Sequence, residues 1–269
     1  MSTFSESYRS WRAQERTVFI TILGGKQYLY LLEGSEYALL IDTGWGCGDL
    51  RRYVERLTDK PIVVVDTHGH HDHAGGNGWW PEVHMHADAA ADADHLPPML
   101  ERREMPHPRY DKVFVGDGFV FDLGGRAVEV IEVPAHASGS IALLDRETSM
   151  LFCGDEIEAG QVLLFDHGSN DAGIWISRVE RHLENMLRLQ ARRDEFVALC
   201  PAHNGAPIAC SYIDDFIALD RAMLAGEQQV EPRLGHWYLS RVPFAAELKR
   251  SRHGLASFIY RQEEEASRD

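Results

Sequence analysis

The segment Asp66-Thr67-His68-Gly69-His70-His71-Asp72-His73-Ala74-Gly75-Gly76 constrains this chain more than any other stretch. Four histidines and an aspartate crowd into six consecutive positions, just after the apolar run Pro61-Ile62-Val63-Val64-Val65. Such a run reads as a buried central strand with a parallel neighbour. Imidazole nitrogen and carboxylate oxygen are the donors that borderline and hard divalent metals prefer. A tight loop can aim His68 and His70 at one ion while Asp72 and His73 face a second. Gly69, Gly75 and Gly76 are read as permitting the sharp turns this needs.

A histidine-rich surface loop would predict nothing further along the chain. Here three more strand-like runs each end on one metal-competent side chain. Residues 128–133 lead to His136, residues 150–153 to Asp155, and residues 196–199 to His203. Sites in layered α/β folds gather at the C-terminal ends of strands.

Short β-like runs at 17–23, 28–33 and 38–42 open the chain, punctuated by Gly24-Gly25 and Gly34-Ser35. A helix is predicted from residue 50 to 57, with Asp49 as its N-cap. Further strands are expected at 112–115, 127–133, 141–144, 150–153 and 196–199. Longer helices are expected at 177–189, with Ile176, Val179, Leu183, Met186 and Leu187 as its apolar face, and at 211–225. Residues 87–111 and 156–176 read as excursions from this alternation, and 226–269 as a C-terminal segment folding back on the core. Strands and helices alternate in two successive rounds within 1–269, one domain with helices outside its sheets. The pattern alone fits a sandwich of two sheets or one open sheet.

Among 269 residues, 42 acidic side chains against 27 basic ones leave a net charge of −15. Most of this surface repels a polyanion, and no Lys/Arg cluster interleaved with aromatics offsets that, so nucleic acid is not an expected partner. Four scattered cysteines, with no Cys-x-x-Cys pair, suit free thiols in a reducing compartment. Residues 1–7 show no basic segment followed by an apolar one, and no apolar run approaches the ~18 residues of a membrane span. The expectation is a cytoplasmic protein without a membrane partner, its oligomeric state left open.

The order His-x-His-x-Asp-His, then a histidine, an aspartate and a final histidine, resembles the metallo-β-lactamase superfamily. The resemblance runs from Ile41-Asp42-Thr43-Gly44 to His203-Asn204-Gly205, about two thirds of the chain. It implies an αββα four-layer sandwich, two mixed sheets with helices on the outer faces. It also implies two Zn2+ per chain, with iron as the alternative. His68, His70 and His136 would hold the first ion, Asp72, His73 and His203 the second, and Asp155 would bridge them. Asp42 would orient the metal loop from behind, and His71 would point away. Two departures stand out. Relatives often carry Gly-His-Thr-Pro-Gly-Ser where this chain has Ala135-His136-Ala137-Ser138-Gly139-Ser140, and Pro-Gly-His-Gly where it has Pro201-Ala202-His203-Asn204-Gly205.

Such a centre implies hydrolysis, because metal coordination lowers the pKa of water to about 7. Asp72 is the natural residue to orient that water and carry its proton. The expected substrate is a small-molecule ester, thioester, lactone or related acyl bond. The alternative within the same resemblance is a mono-iron oxidoreductase acting on persulfides. A glutathione thioester would want a basic cluster, for which only Lys249, Arg250 and Arg252 are nearby. Trp45, His167, Trp175 and Tyr238 are candidate substrate contacts. His84 and His86 are read as locally hydrogen-bonded rather than as a further metal pair.

Overall fold

A computed structural model describes residues 8–22, 26–95, 105–165, 174–231, 239 and 242–262. The first sheet starts as an antiparallel meander, β1 (Arg9–Gln14), β2 (Thr17–Ile22), β3 (Gln27–Glu33) and β4 (Ala38–Ile41). Beyond β4 the connections carry helical turns, long enough for crossovers, and the pairing becomes parallel. Thus α1 (Leu50–Val54) leads to β5 (Ile62–Val65), α2 (His71–Ala74) to β6 (Glu82–Met85), and α3 (Ala90–Asp94) to β7 (Asp111–Phe114). The seven strands lie in sequence order. Asp49 caps α1 as expected, its carboxylate accepting from the Arg52 N–H at 2.9 Å.

The second sheet holds β8 (Val120–Asp122), β9 (Ala127–Glu132), β10 (Ile141–Asp145) and β11 (Met150–Gly154). After β12 (Val162–Leu163) and α4 (Ile174–Ala191), the chain adds β13 (Ala198–Pro201) parallel to β11, then β14 (Ile208–Ala209). Its order is β14-β13-β11-β10-β9-β8. The chain continues through α5 (Ser211–Leu224), β15 (Val230–Glu231), β16 (Leu248–His253) and β17 (Ala256–Arg261).

Three apolar cores give the layer order. Phe19, Tyr30, Ile41 and Val65 of the first sheet meet Val128, Val130, Leu143 and Phe152 of the second in a shared core. The other face of the first sheet packs with α1, α2 and α3 through Val18, Leu40, Leu50, Val54, Ala74 and Ala93. The outer face of the second sheet packs with α4 and α5. The result is an αββα four-layer sandwich of two mixed sheets.

One sequence expectation needs correction, and two elements were not expected. The buried face of α4 runs through Trp175, Val179, His182, Asn185, Met186 and Leu189, while Ile176 and Leu187 are exposed. A small third sheet, β12-β17-β16-β15, carries Ala256, Phe258 and Tyr260 into the core beside α4 and α5. Strand β1 is also an addition. No described helix is long and apolar enough to cross a membrane.

The two sheets are tied at the end remote from the β4 and β5 C-termini by the fully buried Arg126. Its guanidinium donates to Arg16 O (2.6 Å), Glu33 O (3.1 Å) and Thr17 Oγ1 (2.8 Å), and pairs with Asp145 Oδ2 at 2.5 Å. Removing one partner of a buried pair strands the other. Arg126→Ala is therefore expected to lower unfolding stability by about 3 kcal/mol or more in urea denaturation. A loss within 0.5 kcal/mol would show that this tie is unimportant.

Candidate metal centre

Asp42 follows the last residue of β4 with a φ of 63°, a left-handed conformation that costs a non-glycine residue ~1–3 kcal/mol. Its buried carboxylate shows what offsets that strain. Oδ1 accepts from the Thr67 N–H at 2.6 Å, and Oδ2 accepts from Thr67 Oγ1 at 2.9 Å and His73 Nδ1 at 2.8 Å. One side chain therefore grips the start of the histidine loop and one of its rings. The glycines serve close approach rather than turning, since Gly69, Gly75 and Gly76 have no positive φ. A Cβ on Gly69 would lie 2.2 Å from Ala89 O, and one on Gly76 2.5 Å from Thr43 O.

Strands from both sheets end at this loop. β9 delivers His136, β11 delivers Asp155 and β13 delivers His203. Ile141 N–H donates to Thr67 O at 2.8 Å, and Tyr28 N–H to Ala202 O at 2.8 Å, so backbone bonds stitch the sheets together beside the donors. Tyr30 Oη donates to Pro201 O across the same seam.

Three donor groups converge there: His68/His70/His136, His68/His73/Asp155 and Asp72/His73/His203. His70 Nδ1 lies 3.0 Å from both His68 Nε2 and His136 Nε2. His203 Nε2 lies 3.1 Å from Asp72 Oδ2 and 3.3 Å from His73 Nε2. Asp155 Oδ2 sits between the groups, 3.4 Å from His73, 3.7 Å from His136 and 3.6 Å from His203. A tetrahedron with ~2.0–2.1 Å metal–donor distances spaces its donors ~3.3 Å apart.

The outward-facing ring atoms fix the tautomers. His68 Nδ1 meets Thr67 Oγ1 at 3.2 Å, His73 Nδ1 meets Asp42, His136 Nδ1 meets Leu163 O at 2.9 Å, and His203 Nδ1 meets Lys26 O at 3.3 Å. Each of these four rings donates Nδ1–H outward and turns its Nε2 inward, while His70 presents Nδ1. Asp155 Oδ1 is buried with no hydrogen-bond partner among the described residues. A buried carboxylate oxygen without a partner, among inward imidazole nitrogens, fits a divalent cation.

The two halves differ electrostatically. Burial, reinforced by neighbouring imidazoles, holds His68 well below its ordinary value. Burial likewise takes His70 down to about 4 and His136 to about 3. These rings are neutral donors at pH 7. Burial also opposes the charge on His203, but Asp155 and Asp72 outweigh it and push His203 up to about 10. Asp155 and Asp72 raise His73 in the same way against burial. The second half therefore holds protons that a cation would displace.

Comparison with known proteins decides the family. Residues 23–207 match the family model of the metallo-beta-lactamase superfamily. The chain belongs to the metallo-β-lactamase superfamily. It is 29% identical over 171 residues to a human protein named acyl-coenzyme A thioesterase MBLAC2, covering 52% of this chain and 61% of that protein. It is 31% identical over 147 residues to the hydroxyacylglutathione hydrolase of Aeromonas hydrophila, covering 52% and 50%. The matched region thus spans about half to three fifths of these relatives' length. Among solved structures, a metallo-beta-lactamase from Pontibacter korlensis aligns over 80% of this chain and 99% of its own, with TM-score 0.58 and 21% identity. That degree of likeness concerns the fold.

In this superfamily member the remaining sequence candidates are dispersed. His71 lies outside the donor groups, its ring 4.8 Å from that of Trp45. Trp175 is buried in the outer core, 4.9 Å from Tyr260, which gives it a packing role. His84 Nδ1 bonds Val64 O at 3.1 Å, and His86 pairs with Glu132 at 3.2 Å, so both are held locally. His167 and Tyr238 lie outside the described residues.

Sequence reasoning missed what stands behind Asp155. The Glu156 carboxylate accepts from Ala135 N–H (3.3 Å), His136 N–H (3.0 Å) and Asn185 Nδ2 (2.7 Å). His182 Nε2 donates to Glu156 O at 3.0 Å, while its Nδ1 faces Asp220 at 2.9 Å. Two signals were present: the acids of Gly-Asp-Glu-Ile-Glu (154–158), and a histidine at apolar helical spacing after Trp175 and Val179. Burial pulls His182 down, but Asp220 and Glu156 raise it to about 9. This exceeds the unfolded value near 6.5, so the stabilisation is complete below about pH 6.5 and lost as pH rises through about 9. The thermal midpoint of the wild type should accordingly fall more steeply than that of His182→Gln between pH 6.5 and 9.5. Parallel curves would remove His182 from the pH dependence.

Proposed function

We propose that this chain is a metal-dependent hydrolase of small-molecule thioesters, holding two zinc ions. His68, His70 and His136 would hold one, Asp72, His73 and His203 the other, with Asp155 between them. One observation carries the reading: four rings donate Nδ1–H outward so that their Nε2 atoms meet His70 Nδ1 and two carboxylates. The relatives' names, a thioesterase and a hydroxyacylglutathione hydrolase, favour an acyl group carried on sulfur.

A divalent pair, when bound, supplies an attacking water acidic enough for neutral pH and a positive charge for the carbonyl oxygen. The chain's own residues do the rest. His68, His73, His136 and Asp155 form a buried floor, whereas Asp72 and His203 retain 19% and 21% side-chain exposure. Asp72 is thus the carboxylate on the open side, placed to take a proton from water. The water oxygen bonds to the acyl carbon, the C–S bond breaks, and the proton passes to the departing thiolate. Asp42 takes no part in bond making; it keeps His73 turned inward and, through Thr67, His68.

Elemental mass spectrometry of protein purified without added metal or chelator tests the metal reading, with about two zinc per chain expected. About one iron per chain, with oxygen uptake on persulfides, would replace it with the oxidoreductase alternative. Asp72→Ala should lower kcat on acyl-coenzyme A thioesters by 10²–10⁴-fold, read from thiol release. Unchanged turnover in a metal-replete variant would discard Asp72 as the proton carrier.

The two halves also predict an order of loading. The first half is neutral at pH 6, while His203, raised to about 10, must lose its proton to bind a cation. Zinc titrations against a chromophoric chelator should resolve two affinities far apart at pH 6 and closer at pH 8. A pH-independent gap would contradict this proton competition.

A further inference from the structure

Two buried carboxylates next to the centre, Glu156 and Glu158, are not among its seven donors. We propose that the turn following Asp155 is a positioning hub in which Glu156 sets the His136 half of the centre and Glu158 sets the His203 half. The inference rests on the two-ion reading above and concerns residues which that reading leaves unused.

Glu156 holds the His136 loop by its backbone. Its carboxylate accepts from two consecutive N–H groups, Ala135 and His136, and Asn185 of α4 braces the other oxygen. The His136 ring is fixed from the same stretch of chain, by Leu163 O. Arg178 of α4 adds a bond to His136 O at 2.6 Å. The main chain of residue 156 is anchored in turn by the His182–Asp220 pair, which joins α4 to α5.

Glu158 acts on the other loop. Its Oε2 accepts from Asn204 Nδ2 at 2.7 Å. Asn204 follows His203 and has a φ of 64°, a left-handed conformation that asparagine tolerates better than most residues. The turn makes room for this side chain: a Cβ on Gly160 would lie 2.6 Å from Asn204 Nδ2. The two clamps share no partner, so they should act separately on the two halves.

The test uses the full chain labelled with ¹⁵N-histidine, stripped of metal and titrated with zinc while ring-nitrogen resonances are followed. Replacing Glu156 by Gln puts a donor where one carboxylate oxygen accepted. E156Q should raise by about 10-fold or more the free zinc needed to shift His136, leaving His203 within two-fold of wild type. Asn204→Gly keeps the backbone accessible and removes the Glu158 bond, and should do the reverse. If E156Q fails to fold, Asn185→Ser removes only the brace on Glu156 and reads the same half. Equal losses in both halves, or no loss in either, would overturn the hub while leaving metal binding intact. Failure of zinc to shift the wild-type rings would overturn both.

Discussion

Five imidazoles and two carboxylates turn their ligating atoms inward at one end of this sandwich. Burial makes that convergence costly, because so many polar atoms leave water together. It persists because four of the rings, His68, His73, His136 and His203, are held from behind by an acceptor bound to the outer nitrogen. Asp42 is central to that restraint. It reaches His73 directly and His68 through Thr67, and it does so from a left-handed backbone position that its own three hydrogen bonds stabilise. Strain, burial and ring orientation are one arrangement.

The sandwich supplies the rigidity such an arrangement needs. The histidine loop leaves a parallel strand of the first sheet, while His136, Asp155 and His203 leave strands of the second. Their relative positions therefore depend on how the sheets face one another. A shared apolar core sets the separation. Backbone bonds from Ile141 to Thr67 and from Tyr28 to Ala202 set the register at the donor end, and Arg126 ties the remote end. Helix α4 contributes from outside, sending His182, Asn185 and Arg178 to the loops that carry His136 and Asp155, with Asp220 of α5 behind His182.

Several errors of sequence reading have identifiable causes. The face assigned to α4 followed the apolar residues, whereas the buried stripe includes His182 and Asn185, polar groups kept inside because Asp220 and Glu156 satisfy them. Glycines in the metal loop suggested turns; their function is to let backbone from other segments approach. Strand β15 has two residues and β16 carries Lys249, Arg250 and Arg252, so no apolar run marked them, while β17 is buried over most of its length in the core beside α4 and α5. Trp175, a candidate substrate contact because its stretch follows Asp155, stands in the first turn of α4 and packs on Tyr260 in the outer core.

What the sequence by itself determined is the chemistry. Histidines and aspartates stand at the ends of apolar strand-forming runs, in an order specific enough to name the superfamily and to anticipate four layers. Side-chain type and strand periodicity are local properties, so they can be read one segment at a time. Only the tertiary structure decided which ring nitrogen each histidine presents, and that Glu156 and Glu158 stand behind the loops of His136 and His203. Those outcomes depend on acceptors contributed by residues up to 177 positions apart, as between Lys26 and His203. No local pattern encodes a partner that becomes a neighbour only when two sheets close on each other.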